Sequence, residues 1–153
     1  MSEWEMVEHR DVSEDLLDAN VCNSEGITPL HAAAYSGCAE LIPLLMCAGA
    51  SVNIRSLGRG STPLHIACQG KKLAAVSALL DVPLCDVNVQ DSRGNTPLHY
   101  AAILGCAPIT EMILARTPNL QFRNSEGKTA LDEAEEKMAL RVVQLLKGEL
   151  FES

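Results

Sequence analysis

The chain has 153 residues, of which 47% are hydrophobic, so it can build one ordinary domain but has little material for a second one. Its formal net charge of -8 at pH 7 argues against nucleic acid as a partner, because nucleic acid requires a concentrated basic surface. Only 3% of the residues are aromatic, so the core has to consist of small and aliphatic side chains in thin, repeated layers.

The acidic residues gather at the two ends of the chain. Residues 1–20 hold seven acids and one base, whereas between Asn53 and Lys128 eight bases face five acids, so the centre can still meet an acidic protein. The N-terminus has no basic head followed by an apolar stretch, and the longest apolar run, Leu41 to Ala50, is about half as long as a membrane span. The sequence predicts a soluble protein of the cytoplasm, the nucleus or both, with no membrane contact.

The first predicted element is a helix over residues 3–18, within an N-terminal capping segment of residues 1–20. The stretch Asp11-Val12-Ser13-Glu14 is similar to a capping box, in which side chains at a helix start satisfy unpaired N–H groups. Its apolar residues would cover the first layer of the fold that follows; they are Trp4, Val7, Val12 and Leu16.

The next elements come from a repeated motif. The sequence Thr-Pro-Leu-His begins at Thr28, Thr62 and Thr96, 34 residues apart, and a degenerate copy begins 33 residues later at Thr129. A Thr side chain accepts a hydrogen bond from an unpaired N–H at a helix start, and Pro at the first helical position has no N–H to leave unpaired. Each copy therefore predicts the start of a helix.

A second helix is predicted within each copy. Gly37 and Gly105 indicate where the first helix ends. After that point each copy has apolar residues at spacings of three and four, which predict one shared core: Leu41-Ile42-x-Leu44-Leu45, Ala75-Val76-x-x-Leu79-Leu80, Ile109-x-x-Met112-Ile113 and Val142-Val143-x-Leu145-Leu146. The glycines two residues before each Thr predict turns with positive φ; they are Gly26, Gly60, Gly94 and Gly127.

A period near 33 residues that begins with T-P-L-H-x-A resembles the ankyrin repeat, over about residues 20–147. The resemblance implies an all-α fold, an ankyrin-repeat solenoid of paired antiparallel helices joined by β-hairpin-like loops. The repeats would span about 21–54, 55–88, 89–121 and 122–153. In the last repeat Asp132 replaces His and Met138 replaces the helix-ending glycine, as in a C-terminal cap. Caps at both ends predict a monomer.

Residue types that often carry chemistry have a structural interpretation here. Equivalent histidines in stacked helices would lie about 8–10 Å apart, whereas zinc needs its nitrogens at about 2.1 Å. His31, His65 and His99 are therefore expected to form hydrogen bonds near the Thr caps and to bind no metal. The six cysteines form no C-x-x-C pair and are interpreted as reduced thiols. No catalytic or phosphate-binding motif is present, so we expect no enzyme and no cofactor.

In the family that the sequence resembles, partners meet the concave face made by the hairpin tips and the exposed ends of the first helices. The positions that correspond here are Tyr35, Leu57, Arg59, Gln69, Arg93, Asn95, Ile103 and Leu104. Two neighbouring aliphatic residues facing solvent, Ile103 and Leu104, indicate a binding patch; the alternative is that Ile103 packs on Tyr100 and Gln69. With a basic rim of Arg59, Arg93 and Lys128, such a groove fits an acidic segment that carries hydrophobic anchors.

The sequence therefore predicts a non-catalytic protein-protein interaction module that acts as an adaptor or scaffold. The alternative is a stoichiometric inhibitor of an enzyme such as a protein kinase. A protein of about four ankyrin repeats is similar in size to the cyclin-dependent kinase inhibitors of that architecture, although no kinase-contact motif matches. We expect a complete chain, given Met1 and the polar tail at Ser153; the alternative is the repeat region of a larger protein.

Overall fold

The computed structural model describes residues 18–148, and within that range it contains eight α-helices and no β-strand. The helices are α1 Pro29–Ser36, α2 Leu41–Cys47, α3 Pro63–Gln69, α4 Leu73–Leu80, α5 Pro97–Ile103, α6 Ala107–Leu114, α7 Ala130–Glu136 and α8 Leu140–Leu146. They form four successive helix pairs, so the predicted all-α solenoid is confirmed. The predicted capping helix with Trp4, Val7, Val12 and Leu16 lies outside the described residues, except for its last residue, Asp18.

Each first helix begins where the sequence predicts it. Thr28, Thr62, Thr96 and Thr129 are the N-cap residues of α1, α3, α5 and α7, and each hydroxyl oxygen accepts a hydrogen bond from the N–H three residues later. The side chain three residues later accepts one in return from the N–H of the Thr. This reciprocal pairing satisfies two backbone donors that a helix start leaves free.

The first helices end in a left-handed turn nine residues after each Thr. Gly37 and Gly105 hold this turn with φ of 76° and 64°, which confirms the predicted helix ends. The corresponding residues in the second and fourth repeats are Lys71 and Met138, with φ of 55° and 56°. A side chain in this region costs about 1 kcal/mol or more, so this turn is strained at Lys71 and Met138 and unstrained at Gly37 and Gly105.

Replacing Met138 by Gly is expected to stabilise the protein by about 0.5–1 kcal/mol, because glycine adopts positive φ without steric cost. The side chain of Met138 is 78% exposed, so little packing is lost. Urea denaturation measures the change, with Met138→Ala as the control that removes the same side chain and keeps the strain. A Gly variant no more stable than the Ala variant would contradict this account of the turn.

The core runs along the stack between the layers. On the first helices, Ala34, Cys68 and Ala102 occupy one register position and are fully buried, since small side chains let neighbouring helices approach closely. On the second helices, Val76, Ile109 and Val142 are fully buried in the same core. The apolar stripe predicted from the sequence is therefore the surface that joins the layers, except that Leu41 and Leu44 of the first repeat are 44% and 65% exposed and not part of the core.

The loops before each first helix form short hairpin-like tips, as predicted. Each tip is closed by a backbone hydrogen bond such as Asp91 N–H to Asn95 C=O at 2.9 Å, and its glycine has a positive φ between 62° and 76°. Successive tips are also joined to each other. Leu57 N–H donates to Glu25 C=O at 2.9 Å, and Ser92 N–H donates to Arg59 C=O at 2.8 Å.

Candidate functional site

The tips and the ends of the first helices enclose two hollows that meet at Gln69. The first hollow, of about 930 Å³, lies between the first two repeats; the second, of about 330 Å³, lies between the later ones. All eight residues predicted to bind a partner line one hollow or the other. The first hollow contains Tyr35, Leu57, Arg59 and Gln69, and the second contains Gln69, Arg93, Asn95, Ile103 and Leu104.

The first hollow has the more exposed apolar surface. Tyr35 at the end of α1 is 76% exposed, and Leu57 on the second tip is 66% exposed. Leu57 lies in the tip that the sequence shows to be one residue longer than the others, between Ser56 and Ser61, whose backbones pair at 2.9 Å. Large apolar side chains that are mostly exposed to solvent are typical of binding surfaces, so Tyr35 and Leu57 are the main apolar candidates for a contact with a partner.

Ile103 and Leu104, the binding patch predicted from the sequence, are less exposed to solvent than expected. Leu104 is only 37% exposed and Ile103 is partly buried. Both line the second hollow beside Tyr100 and Gln69, the two residues named in the alternative interpretation of Ile103. The most exposed apolar side chains of the groove are therefore those of Tyr35 and Leu57.

Asn95 differs from the expectation of an exposed tip residue, because it is only 7% exposed. Its side-chain oxygen accepts a hydrogen bond from Asn124 Nδ2 at 2.9 Å, and its backbone C=O lies 2.8 Å from His65 Nε2. These bonds join its tip to the repeats on either side. We therefore leave Asn95 out of the proposed binding surface.

A polar network that sequence reasoning missed lines the second hollow. Tyr100 donates a hydrogen bond to the Asp91 carboxylate, and burial together with this bond raises the pKa of Tyr100 to about 12. Asn124 Nδ2 also donates to the buried Glu133 carboxylate at 2.9 Å. The sequence contains one sign of this network, because the first position of three tips is Asn or Asp. The side-chain oxygens of Asn23, Asp91 and Asn124 accept hydrogen bonds there from backbone N–H groups.

The three histidines bridge successive repeats, as predicted for hydrogen bonding near the Thr caps. In His65, Nδ1 accepts from Thr62 N–H at 3.1 Å, so Nε2 carries the proton and donates to Asn95 C=O at 2.8 Å. His31 and His99 make the same bridge to Ser61 C=O and Lys128 C=O. Burial lowers the pKa of His31 and of His65, which favours the neutral ring that accepts at Nδ1.

The basic side chains fall into two groups. Arg55 donates to Gln90 C=O at 2.8 Å and Arg116 to Cys85 C=O at 2.9 Å, so both are engaged in holding repeats together. Lys128 contacts the Glu126 and Glu136 carboxylates, whose hydrogen bonds raise its pKa, so the predicted rim residue is already paired. Three groove residues make no salt bridge within residues 18–148: Arg59, Lys72 and Arg93.

Other kinds of site receive no support from the described residues. Within residues 18–148 no group of three or more His, Cys, Asp or Glu side chains could hold a metal ion. All six cysteines are free thiols, and burial raises the pKa of Cys85 to about 11 and that of Cys68 further. Of the helices in the same range, none has the length and apolar character needed to cross a bilayer.

Comparison with known proteins agrees with this architecture. The family model described as ankyrin repeats (3 copies) matches residues 6–91 and 71–150. The chain is similar to the B-cell lymphoma 3 protein homolog of Mus musculus, 31% identical over 132 residues that make up 86% of this chain and 29% of that protein. It is also similar to ankyrin repeat and SOCS box protein 11 of Danio rerio, 39% identical over 106 residues, 69% of this chain and 35% of that protein.

A third relative is a toxin. The chain is similar to alpha-latrotoxin-Lg1a of Latrodectus geometricus, 42% identical over 84 residues, which are 55% of this chain and 6% of the toxin. The chain thus spans no more than about a third of the length of these relatives. The repeated Thr caps, the bridging histidines and the family match lead to one conclusion: the chain belongs to the ankyrin-repeat family, whose stacked layers form protein-protein interaction modules.

Proposed function

We propose that the chain is a non-catalytic adaptor or scaffold that binds an acidic protein segment with hydrophobic anchors in its concave groove. The observation that carries the proposal is the composition of the first hollow. Exposed Tyr35 and Leu57 stand there beside Arg59 and Lys72, which lack a carboxylate partner among residues 18–148. An apolar anchor flanked by an acidic residue would match both features, since it buries the first pair and neutralises the second.

The two hollows would contact different parts of a partner. In the first hollow two basic residues face a single acid, Glu25. In the second hollow Arg93 faces Glu126 and the buried Glu133. Acidic groups of a partner are therefore expected at the first hollow, and Ile103 and Leu104 of the second hollow supply a smaller apolar contact.

A random peptide library displayed on phage tests the proposal and does not require the partner to be identified. Peptides selected by the chain are expected to combine Asp or Glu with a large apolar residue. The double variant Tyr35→Ala/Leu57→Ala should bind such a peptide about 30-fold more weakly, a loss of roughly 2 kcal/mol, as measured by isothermal titration calorimetry. The corresponding double variant Ile103→Ala/Leu104→Ala should lose less.

The matched control is Leu84→Ala, since Leu84 is 81% exposed and does not line either hollow. It is expected to leave the peptide affinity unchanged. Equal affinity for the Tyr35/Leu57 variant and the wild type, with an intact fold, would remove the proposal. So would the selection of basic peptides, or binding that does not weaken at higher salt.

The alternative function, stoichiometric inhibition of an enzyme such as a protein kinase, would use the same groove. Co-purification with a kinase, together with loss of the kinase activity on adding the chain, would favour inhibition over a scaffold.

We place the protein in the cytoplasm or nucleus in this proposal, because six free thiols suit a reducing compartment. The acidic ends of the chain and the polar last repeat support a monomer.

A further inference from the structure

The last repeat places a carboxylate at a position that carries no charge in the repeats before it. Glu133 stands four residues after the cap residue Thr129. Its counterparts in the first three repeats are Ala32, Ile66 and Tyr100. Glu133 is nevertheless only 5% exposed, so its charge is largely removed from water. A buried charge normally has an ion partner or several hydrogen bonds, because desolvation of an unpaired charge is costly.

The described part of the chain compensates this charge only in part. Glu133 Oε2 accepts a hydrogen bond from Asn124 Nδ2 at 2.9 Å, and Glu133 makes no salt bridge to any residue in the range 18–148. Asn124 Nδ2 gives its other proton to Asn95 Oδ1, also at 2.9 Å, so this amide has nothing further to donate. A carboxylate can accept about four hydrogen bonds. Glu133 therefore keeps acceptor capacity for a further donor.

The remaining oxygen of Glu133 can be reached from the second hollow, which Glu133 lines. Within residues 18–148, every fully buried side-chain oxygen or nitrogen has a hydrogen-bond partner. Oε1 of Glu133 makes no hydrogen bond to the residues of that range, so it has to be open to solvent rather than enclosed. A donor that enters the hollow can therefore bind this oxygen directly.

The other walls of the second hollow suit a long cationic side chain. Tyr100, Ile103 and Leu104 line the same space of about 330 Å³. The methylene stem of Arg or Lys packs on apolar and aromatic side chains while its charged end reaches a polar group. Glu126 also lines the hollow, but Lys128 already contacts its carboxylate at 3.1 Å. Glu133 is the carboxylate that still lacks a cation among the described residues.

We propose that the second hollow binds an Arg or Lys side chain of the partner segment, with Glu133 as the residue that recognises its charge. The inference rests on the proposed function, because it names a second group on the segment that occupies the groove. The segment then carries its acidic residue at the first hollow and its basic residue at the second. The hollows are two layers apart, or roughly 20 Å, which an extended peptide spans in about six residues.

Arg93 is the residue that would favour the opposite occupant, an acidic group. It lines the second hollow and makes no salt bridge to the rest of the described chain. Arg93 is exposed, however, so water screens its charge, whereas the charge of Glu133 is buried and screened less. The cationic occupant is therefore favoured, and selection of a second acidic residue is an outcome that the test must detect.

Selection of the phage peptide library on the wild type and on Glu133→Gln tests the inference. Gln keeps an oxygen that accepts from Asn124 Nδ2 but removes the charge, so urea denaturation should show no loss of stability. Peptides selected by the wild type are expected to combine Asp or Glu with an Arg or Lys about six positions away. Glu133→Gln should remove the Arg or Lys and keep the acidic and apolar residues.

The matched control is Glu135→Gln, because Glu135 belongs to the same helix α7 but lines neither hollow. It should select the wild-type pattern. Peptides that contain Asp or Glu but no Arg or Lys would overturn the inference and leave the proposed function standing. Peptides whose Arg or Lys depends on Glu133, but which lack an acidic residue, would overturn the proposed function instead. A second acidic residue at the distant position, lost on Arg93→Gln, would also overturn the inference.

A synthetic peptide of the wild-type pattern, with Arg at the basic position, measures the contact directly. Citrulline has nearly the shape of Arg but no charge. Replacing the Arg by citrulline should weaken binding to the wild type about tenfold in isothermal titration calorimetry. The same replacement should change the affinity for Glu133→Gln by no more than about twofold, because the charge it would meet is absent. An equal loss on both proteins would overturn the inference.

Discussion

Replacing His65 by Leu is expected to lower the free energy of unfolding by about 3 kcal/mol. Leu fills similar space but leaves Thr62 N–H and Asn95 C=O without the ring that pairs them at 3.1 and 2.8 Å. Both groups lie in buried residues, and an unsatisfied buried polar group costs about 1–3 kcal/mol. The edge-to-face contact with Tyr100, with ring centroids 5.9 Å apart, is lost as well. Urea denaturation at pH 7 measures the change.

The fourth repeat supplies the control for this prediction. Asp132 holds the position of the histidine and accepts from Thr129 N–H at 3.0 Å, but it is half-buried and makes no described bond to a following layer. Asp132→Ala should therefore cost the capping interaction, about 1 kcal/mol, because its ion pair with Arg123 at 3.7 Å is exposed and contributes little. Equal losses for Asp132→Ala and His65→Leu would show that the bridge between repeats adds nothing, against the present account.

Gly94→Ala is expected to destabilise the protein by about 3 kcal/mol, because two costs combine at one position. Gly94 has a φ of 76°, and a Cβ built there would lie 2.9 Å from Asn124 Cα and 3.0 Å from Ser125 N. Relieving that overlap moves the fourth tip away and stretches the hydrogen bond from Ser125 N–H to Arg93 C=O, now 2.8 Å long. Thermal and urea denaturation should both register the loss.

Gly127→Ala separates the two costs. Gly127 has the same φ of 76°, but no atom lies within 4 Å of a Cβ built there, so only the backbone strain of about 1 kcal/mol remains. The difference between the two variants measures how closely adjacent tips pack. If Gly127→Ala proved as destabilising as Gly94→Ala, the close approach of the tips would have no energetic role.

Local chemistry explains why most of the fold was predictable. Thr28, Thr62 and Thr96 act on N–H groups only three residues away, and Gly37 adopts its turn without help from another repeat. Such features depend on near neighbours along the chain, so the sequence pattern carries them completely. The helix starts at the Thr residues and the helix ends at Gly37 and Gly105 were of this kind.

The burial and hydrogen bonding of several residues could not be predicted from the sequence, because they depend on contacts between repeats. Asn95 is of a residue type that is common on exposed tips. It is buried because Asn124 of the next tip packs against it and donates a hydrogen bond to its side-chain oxygen. In the same way, nothing in the sequence distinguishes Asn20 and Asn53 from ordinary loop residues. In the structure each side chain forms hydrogen bonds with backbone groups of the following repeat; for example, Asn53 Nδ2 donates to Leu84 C=O at 2.8 Å.

The ranking of the groove residues required the same information. Ile103 and Leu104 are the most apolar neighbours in the predicted set, yet the surroundings of α5 reduce their exposure. Nothing in the sequence ranks Leu57 above the other tip residues. The sequence shows the extra residue of the second tip, but the 66% exposure of the Leu57 side chain is known only from the assembled stack.

Hydrogen–deuterium exchange of the chain with and without a selected acidic peptide tests the central claim, that partners bind in the concave groove. The proposal predicts slower exchange on binding at the second and third tips, residues 56–61 and 91–95, and at the end of α1 near Tyr35. Exchange in α4 and α6, on the opposite side of each layer, should not change. Slower exchange confined to those second helices, with the tips unaffected, would contradict the proposal.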